Sequence, residues 1–394
     1  MRALPPFLLA GFIVAALLRI DFFFTVIYFL AALVLLSRLW IGRSGRQLHI
    51  RRAFADHAFT GDKVPIDLTI ENQGWLPIPW LEIRESMPAA LMGGPFPPRV
   101  VSLGPHEAWH GRYTLGCIRR GYYTLGPAQL QTGDLLGVRQ LALQAPEPRR
   151  LTVYPRVVPL ARLGLPTRSP LVALPARAPL FEDPSRLRGV RDYRPGDARR
   201  RMHWSATARL DRPVVKQYEP AIARQTMICL DLDRASYETR RRFEATELAI
   251  CAAASLAAQI AGGEGLPAGL LTEAQDPLTG TQRLIVVPPR AERGHLVTGI
   301  LEVLARVDLA TGTAFPDLLR RESVQLAWGT TLAVLTGQAS SALLETLLYL
   351  RRRGFVVVLI LVQPGYRPAA DESRLAGMVV YRIGQESHLE VLSA

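Results

Sequence analysis

Ser205, His203 and Asp192 are the residue types of a nucleophilic triad, in which an imidazole takes the hydroxyl proton and a carboxylate orients the imidazole. Their spacing argues against that chemistry, because residues two apart on a helix point in nearly opposite directions. His203 can instead meet Thr207 one turn further on, with no acid supplied to orient it. What surrounds these residues is charge. From Arg186 to Lys216 there are ten cationic side chains against three acids, Asp192, Asp197 and Asp211, interleaved with Tyr193 and Trp204.

The elements that position this stretch follow from its punctuation. Pro195-Gly196 is a turn pair, with proline fixing φ at one corner and glycine permitting positive φ at the next. Asp197 then reads as an N-cap, and Ala198 to Ala208, free of Gly and Pro, reads as about three turns of helix. Asp197 also lies three and four residues before Arg200 and Arg201, the spacing at which opposite charges meet. Pro213 breaks the helix, and Val214 to Tyr218 reads as a strand. Such a cluster serves either as an Arg-carboxylate latch between domains or as a docking patch for an anionic partner.

Arg191, Tyr193, Pro195, Gly196, Asp197, Arg200, Met202, His203, Trp204, Ala206, Thr207, Ala208 and Arg209, continued by Val214, Lys216, Tyr218 and Glu219, closely resemble at fixed spacing the defining motif of the bacterial domain of unknown function 58 family. The resemblance implies two N-terminal membrane helices, a β-rich segment and a von Willebrand factor A-like C-terminal domain. It also implies a MoxR-type AAA+ ATPase as partner, beside transglutaminase-like membrane proteins of the same gene neighbourhood. It assigns no catalytic activity.

Composition narrows the classes. The 394 residues suffice for two soluble domains plus an anchor, and 49% hydrophobic content excludes overall disorder. The net charge of +13 is carried almost wholly by Arg, Lys63 and Lys216 being the only lysines. The surplus is spread along the chain, so a nucleic-acid partner is not expected. Cys117, Cys229 and Cys251 have no CxxC spacing, which points to neither a disulfide framework nor a zinc site. No HExxH, Walker A or GxGxxG pattern occurs.

Along the chain, Ala3–Leu18 and Phe22–Leu36 are apolar runs separated by Arg19-Ile20-Asp21, read as a transmembrane helical hairpin over residues 1–42. Arg2 lies before it, and Arg38, Arg43, Arg46, Arg51 and Arg52 follow it, so the positive-inside rule places both ends in the cytoplasm of a two-pass inner-membrane protein. Residues 43–158 alternate with period two, as in Val64–Ile70 and Trp80–Arg84, with turn residues between, which predicts a β-sandwich-like domain. Residues 159–185 read as a Pro-rich linker and 186–222 as the Arg-rich motif.

In residues 223–394 short apolar strands alternate with amphipathic helices. Strands are expected at Gln225–Asp231, Ala268–Thr272, Arg283–Val287, Thr331–Leu335, Phe355–Val362 and Met378–Ile383. Helices are expected at Tyr237–Gly262, around Arg293–Leu304 and at Ala339–Arg352. That order predicts a doubly wound, mostly parallel α/β sheet. The resemblance to von Willebrand A domains implies a metal site of Asp-x-Ser-x-Ser, a Thr and a later Asp, suited to Mg²⁺. Here the first element reads Asp231-Leu232-Asp233-Arg234-Ala235, and the later loop, Thr336-Gly337-Gln338, holds no acid. Asp231 is retained, Asp233 is a chemically possible substitute, and Thr311 or Thr313 are distant candidates. The structural alternative is Asp231 capping the next turn.

The expected function is that of a non-catalytic, membrane-anchored scaffold with a degenerate von Willebrand A-like domain, working with the MoxR-type ATPase in assembly of a membrane or envelope complex. The alternatives are a metal-dependent hydrolase using Asp231 and Asp233, and binding of nucleic acid or anionic lipid by the Arg cluster.

Overall fold

A computed structural model describes residues 21–394 apart from 89–90, 92–97, 134–139, 145–146, 161–181, 194–201, 221–224, 291, 293, 367–372, 376–377 and 392–394. The chain divides into two compact units, Met1–Tyr154 and Pro155–Ala394. The first apolar run, Ala3–Leu18, and the turn at Arg19 and Ile20 lie outside the described residues. The second is helix α1 (Asp21–Ser44), longer than expected. Near its end the Trp40 indole N–H donates to Pro77 O at 3.0 Å, tying the helix to the β-rich region. The segment Phe24–Gln47 is long and apolar enough to cross a membrane, and its apolar window is wholly unburied.

The first unit continues through β1 (Leu48–Ala53), β2 (His57–Phe59), β3 (Lys63–Asn72), β4 (Ile78–Arg84), β5 (Arg99–Leu103), β6 (Ala108–Gly116), β7 (Gly121–Leu125), β8 (Gln129–Gly133), β9 (Gln140–Gln144) and β10 (Arg149–Tyr154). They form three sheets, in the orders β1-β3-β6, β2-β10-β7 and β5-β4-β8-β9. β3 shows why period two is sufficient to specify this: every second residue from Val64 to Asn72 is buried. Val64 and Ile66 pack with Leu125, Leu151 and Val153, whereas Leu68 and Ile70, further along the same face, pack with Leu81, Ile83 and Leu130. One strand thus supplies the core for both other sheets.

The expected turn at 71–74 starts later, because Asn72 remains in β3. Its fully buried amide donates to Leu76 O and Gly104 O, each at 2.9 Å, and accepts from Gly74 N at 3.1 Å. A buried ion pair joins β1 to the end of β4. Arg52 and Glu85 meet at 2.5 Å with side chains 2% and 1% exposed. Arg52 also donates to Leu125 O at 3.1 Å. Burial raises the Glu85 carboxyl above the usual carboxylate range, while the guanidinium pulls it back.

In the second unit β11 (Glu182–Asp192) and β12 (Val214–Pro220) pair antiparallel as a two-stranded ribbon, with α2 (Trp204–Leu210) between them in the chain. The reading of 159–185 as linker is therefore corrected at its end, where Glu182 to Ser185 belong to β11. Residues 161–181 lie outside the described residues.

The remaining strands are β13 (Thr226–Leu230), β14 (Ala268–Asp276), β15 (Thr281–Arg290), β16 (Thr331–Thr336), β17 (Val356–Val362), β18 (Ser373–Leu375) and β19 (Met378–Ile383). They form one mixed sheet in the order β15-β14-β13-β16-β17-β19-β18. Five central strands are parallel, and the two edges, β15 and β18, run antiparallel to their neighbours. Edge strand β15 ends in Pro288, Pro289 and Arg290.

The helices of this unit are α3 (Arg242–Ala257), α4 (Glu302–Arg306), α5 (Phe315–Ser323) and α6 (Ser341–Arg352). On one sheet face Met227, Cys229, Val334 and Leu359 pack against Leu318 of α5 and Leu347 of α6. Helix α3 packs on β13, β16 and β17. It is 72% buried together with its π-helical extension to Gly263, so although long and apolar enough to span a membrane it is a core helix. Its start is a correction: a 3-10 turn at Arg234–Ser236 precedes it, and Tyr237, expected as its first residue, lies outside it and is buried. Helix α5 was not expected from sequence at all.

Candidate functional site

The Arg-rich motif is carried by the ribbon and α2. Pro195, Gly196, Asp197 and Arg200 lie outside the described residues, and with them the proposed Asp197 cap. The helix expected over Ala198–Ala208 is corrected. Met202 bridges Val215 of β12, His203 N donates to Val214 O at 3.0 Å, and helical structure begins only at Trp204. The cap is His203, whose Nδ1 accepts from Ala206 N at 3.2 Å. Because His203 stands outside the helix, the argument that it cannot face Ser205 also fails: Ser205 Oγ and His203 Nδ1 are 3.0 Å apart.

No triad results. Asp192, the third member considered, is held by Arg212 at 3.4 Å. Thr207 fastens α2 to the ribbon, accepting from Val214 N through Oγ1 at 3.2 Å, and meets His203 through its backbone N–H rather than its side chain. Tyr193 N donates to Pro213 O at 2.9 Å, closing the ribbon end. Arg191 donates to Asp192 O at 3.1 Å. In the ladder Lys216 stands opposite Val190, Tyr218 opposite Leu187 and Glu219 opposite Asp183. Trp204 and Arg209 are exposed on α2.

A second site forms at the carboxyl ends of β13, β14 and β16. Asp231 follows β13 and is 1% exposed. Its Oδ1 accepts from Asp233 N at 3.0 Å and its Oδ2 from Thr336 Oγ1 at 2.7 Å. Asp233 Oδ1 in turn caps the Arg234–Ser236 turn through Ala235 N at 3.1 Å. The Tyr237 hydroxyl donates to Asp231 O at 2.5 Å. Gly337 is required here, since a Cβ would lie 2.4 Å from Ser236 O. Burial pushes the Asp231 carboxyl up to about 6, opposed by the hydrogen bonds from Ser236, Asp233 N and Thr336. Burial, then the neighbouring Asp231, raises the Tyr237 hydroxyl well above the tyrosine range.

Asp231 and Asp233 line a small recess together with Leu232, Glu273, Gly312, Thr313, Phe315 and Leu318. Of the distant candidates, Thr313 reaches the pocket, whereas Thr311 donates its N–H to Gln282 Oε1 at 3.2 Å. Glu273 was missed by sequence reasoning, which ended β14 at Thr272. It accepts from Gln282 Nε2 at 2.9 Å. Continuing the alternation one residue past Thr272 puts Glu273 on the face of Leu271, which is the signal that could have found it. Among the described residues no group of three or more His, Cys, Asp or Glu stands close enough to share a metal ion.

The architecture is that of a β-rich unit joined to an α/β unit with a mixed sheet, the latter carrying an outlying basic ribbon. Residues 189–364 match the family described as Protein of unknown function DUF58. Among curated proteins no match is found. Similar solved structures include the CARDB domain of the PF1109 protein from Pyrococcus furiosus in complex with di-metal ions. It is 16% identical, covers 27% of this chain and 86% of that one, and has a TM-score of 0.21. The complex of zinc 2-glycoprotein and prolactin inducible protein from human seminal plasma is 11% identical, covering 26% of this chain and 92% of that one with a TM-score of 0.21. The C-terminal domain of wzt is 12% identical, covering 28% and 72% with a TM-score of 0.18.

Proposed function

We propose that the protein is a membrane-anchored scaffold whose α/β unit is a degenerate, doubly wound von Willebrand A-like domain, recognising a protein partner at the carboxyl end of its sheet. The observation that carries this reading is the state of Asp231. Both its oxygens are engaged by the chain's own donors, Asp233 N and Thr336 Oγ1, so the carboxylate organises loops instead of facing a substrate. The flanking acids Asp233 and Glu273 give a chain of net charge +13 a small acidic recess whose charge suits the cationic tip of a partner's basic side chain.

In this reading the N-terminal segment anchors the chain by two passes in the plasma membrane, with the soluble units in the cytoplasm. The partner is a MoxR-type AAA+ ATPase, and the assembly includes other membrane proteins of the same gene neighbourhood. The test is capture of the neighbouring ATPase by the detergent-solubilised full chain. Capture that falls at least tenfold in the Asp233→Asn, Glu273→Gln double variant supports the reading. Failure of the unaltered chain to retain the ATPase overturns it.

A further inference from the structure

The ribbon and α2 form a surface that the acidic recess does not use. Helix α2 buries none of its residues. At helical spacing Trp204, Ser205, Ala208 and Arg209 share its outward face, whereas Ala206 and Thr207 are half-buried toward β12. Trp204 is 68% exposed, with Leu210 at 46% and Val190 of β11 at 40%. A single exposed apolar side chain is ordinary and decides nothing. Here the indole sits within the stretch of ten cations against three acids, and the same chain carries an unburied apolar helix able to hold it beside a bilayer.

We propose that this face docks onto an anionic lipid surface, with Trp204 entering the headgroup layer and Arg209 and Lys216 facing lipid phosphates. An indole with one apolar and one hydrogen-bonding edge favours the water–bilayer boundary. Arg and Lys draw the face to a negatively charged leaflet over a Debye length of about 8 Å at physiological salt. Tethering by α1 makes the contact intramolecular, so a weak surface suffices. An acidic peptide is the poorer fit. Peptide recognition uses a groove or a continuous open strand edge; α2 offers a convex two-turn face, and β11 is broken by two register shifts, between Asp183 and Leu187 and between Leu187 and Gly189.

The experiment uses the full chain in lipid nanodiscs, with Ser205→Cys carrying an environment-sensitive fluorophore. Cys117, Cys229 and Cys251 are buried and leave the label site-specific. In discs containing phosphatidylglycerol the emission shifts to the blue and is quenched by headgroup spin-labelled lipid. In discs of phosphatidylcholine alone it is not. High salt or the Arg209→Glu, Lys216→Glu double variant abolishes the difference. Because Lys216 lies in β12, Arg209→Glu on exposed α2 is measured alongside and at least halves the quenching. Identical emission in both discs, quenching that survives Arg209→Glu, or a shift produced only by adding an acidic protein overturns the proposal. Capture of the ATPase is read separately, so loss of the lipid response with capture intact strikes this inference alone.

Discussion

Glu85 in the β-rich unit and Asp231 in the α/β unit are each about 1% exposed, yet they are held by different kinds of partner. Glu85 has a guanidinium at 2.5 Å; Asp231 is held by a hydroxyl and a backbone N–H. Burial raises both carboxyls, but at Glu85 a full countercharge pulls the value back. Neutral donors return only part of the hydration lost by Asp231, and burial pushes its carboxyl up to about 6. The contrast separates a charge kept for architecture from one kept at a loop junction, where protonation alters what the junction presents.

The largest effect expected is at the paired site. Arg52→Met leaves Glu85 buried without its cation and costs about 3 to 5 kcal/mol of unfolding free energy, read by denaturant titration. Adding Glu85→Gln recovers most of the loss, whereas no recovery would show that packing around Arg52, and not charge, dominates. At Asp231 the sign reverses. Its folded value lies above the ordinary 3.8, so the fold is favoured by this group below about pH 4 and loses that contribution as pH rises through about 6. Asp231→Asn therefore stabilises by about 3 kcal/mol at pH 7 and by little at pH 4. A gain equal at both pH values would refute the titration. Thr336→Val removes a donor to the charged form, costs about 1 kcal/mol at pH 7, and raises the Asp231 value further. Smallest is Asp192→Asn, where the Arg212 pair is 60% and 65% exposed, and a change within about 0.5 kcal/mol is expected.

Much of the architecture was legible because burial writes itself into periodicity. β3, β5, β7, β17 and β19 fall where alternation or short apolar runs put them, and α6 begins at Ser341 after the Ser340 cap, close to its reading from sequence. Less legible were elements whose start depends on one side chain's geometry. His203 looks like a helical residue in sequence and is a cap in space, so α2 is seven residues long instead of eleven. Helix α5 was hidden by Pro316, which punctuates a sequence but is tolerated in a first helical turn. At the carboxyl end of the sheet, Asp231 and Asp233 could be named from their position after β13. Glu273 was missed because β14 was ended one residue early, and only its pairing with β13 brings that residue beside Asp231 and Asp233.

The proline pair on β15 has a bearing on how the molecule behaves in company. A sheet border normally displays a row of amide hydrogens that another chain can match, and the adjacent Pro288 and Pro289, whose positions face alternate sides, withdraw one of them at the end of the outermost strand. A mixed sheet that would otherwise be open to extension is thereby blunted on that side. Copies of the chain brought close together are then less able to pair strand to strand along that border.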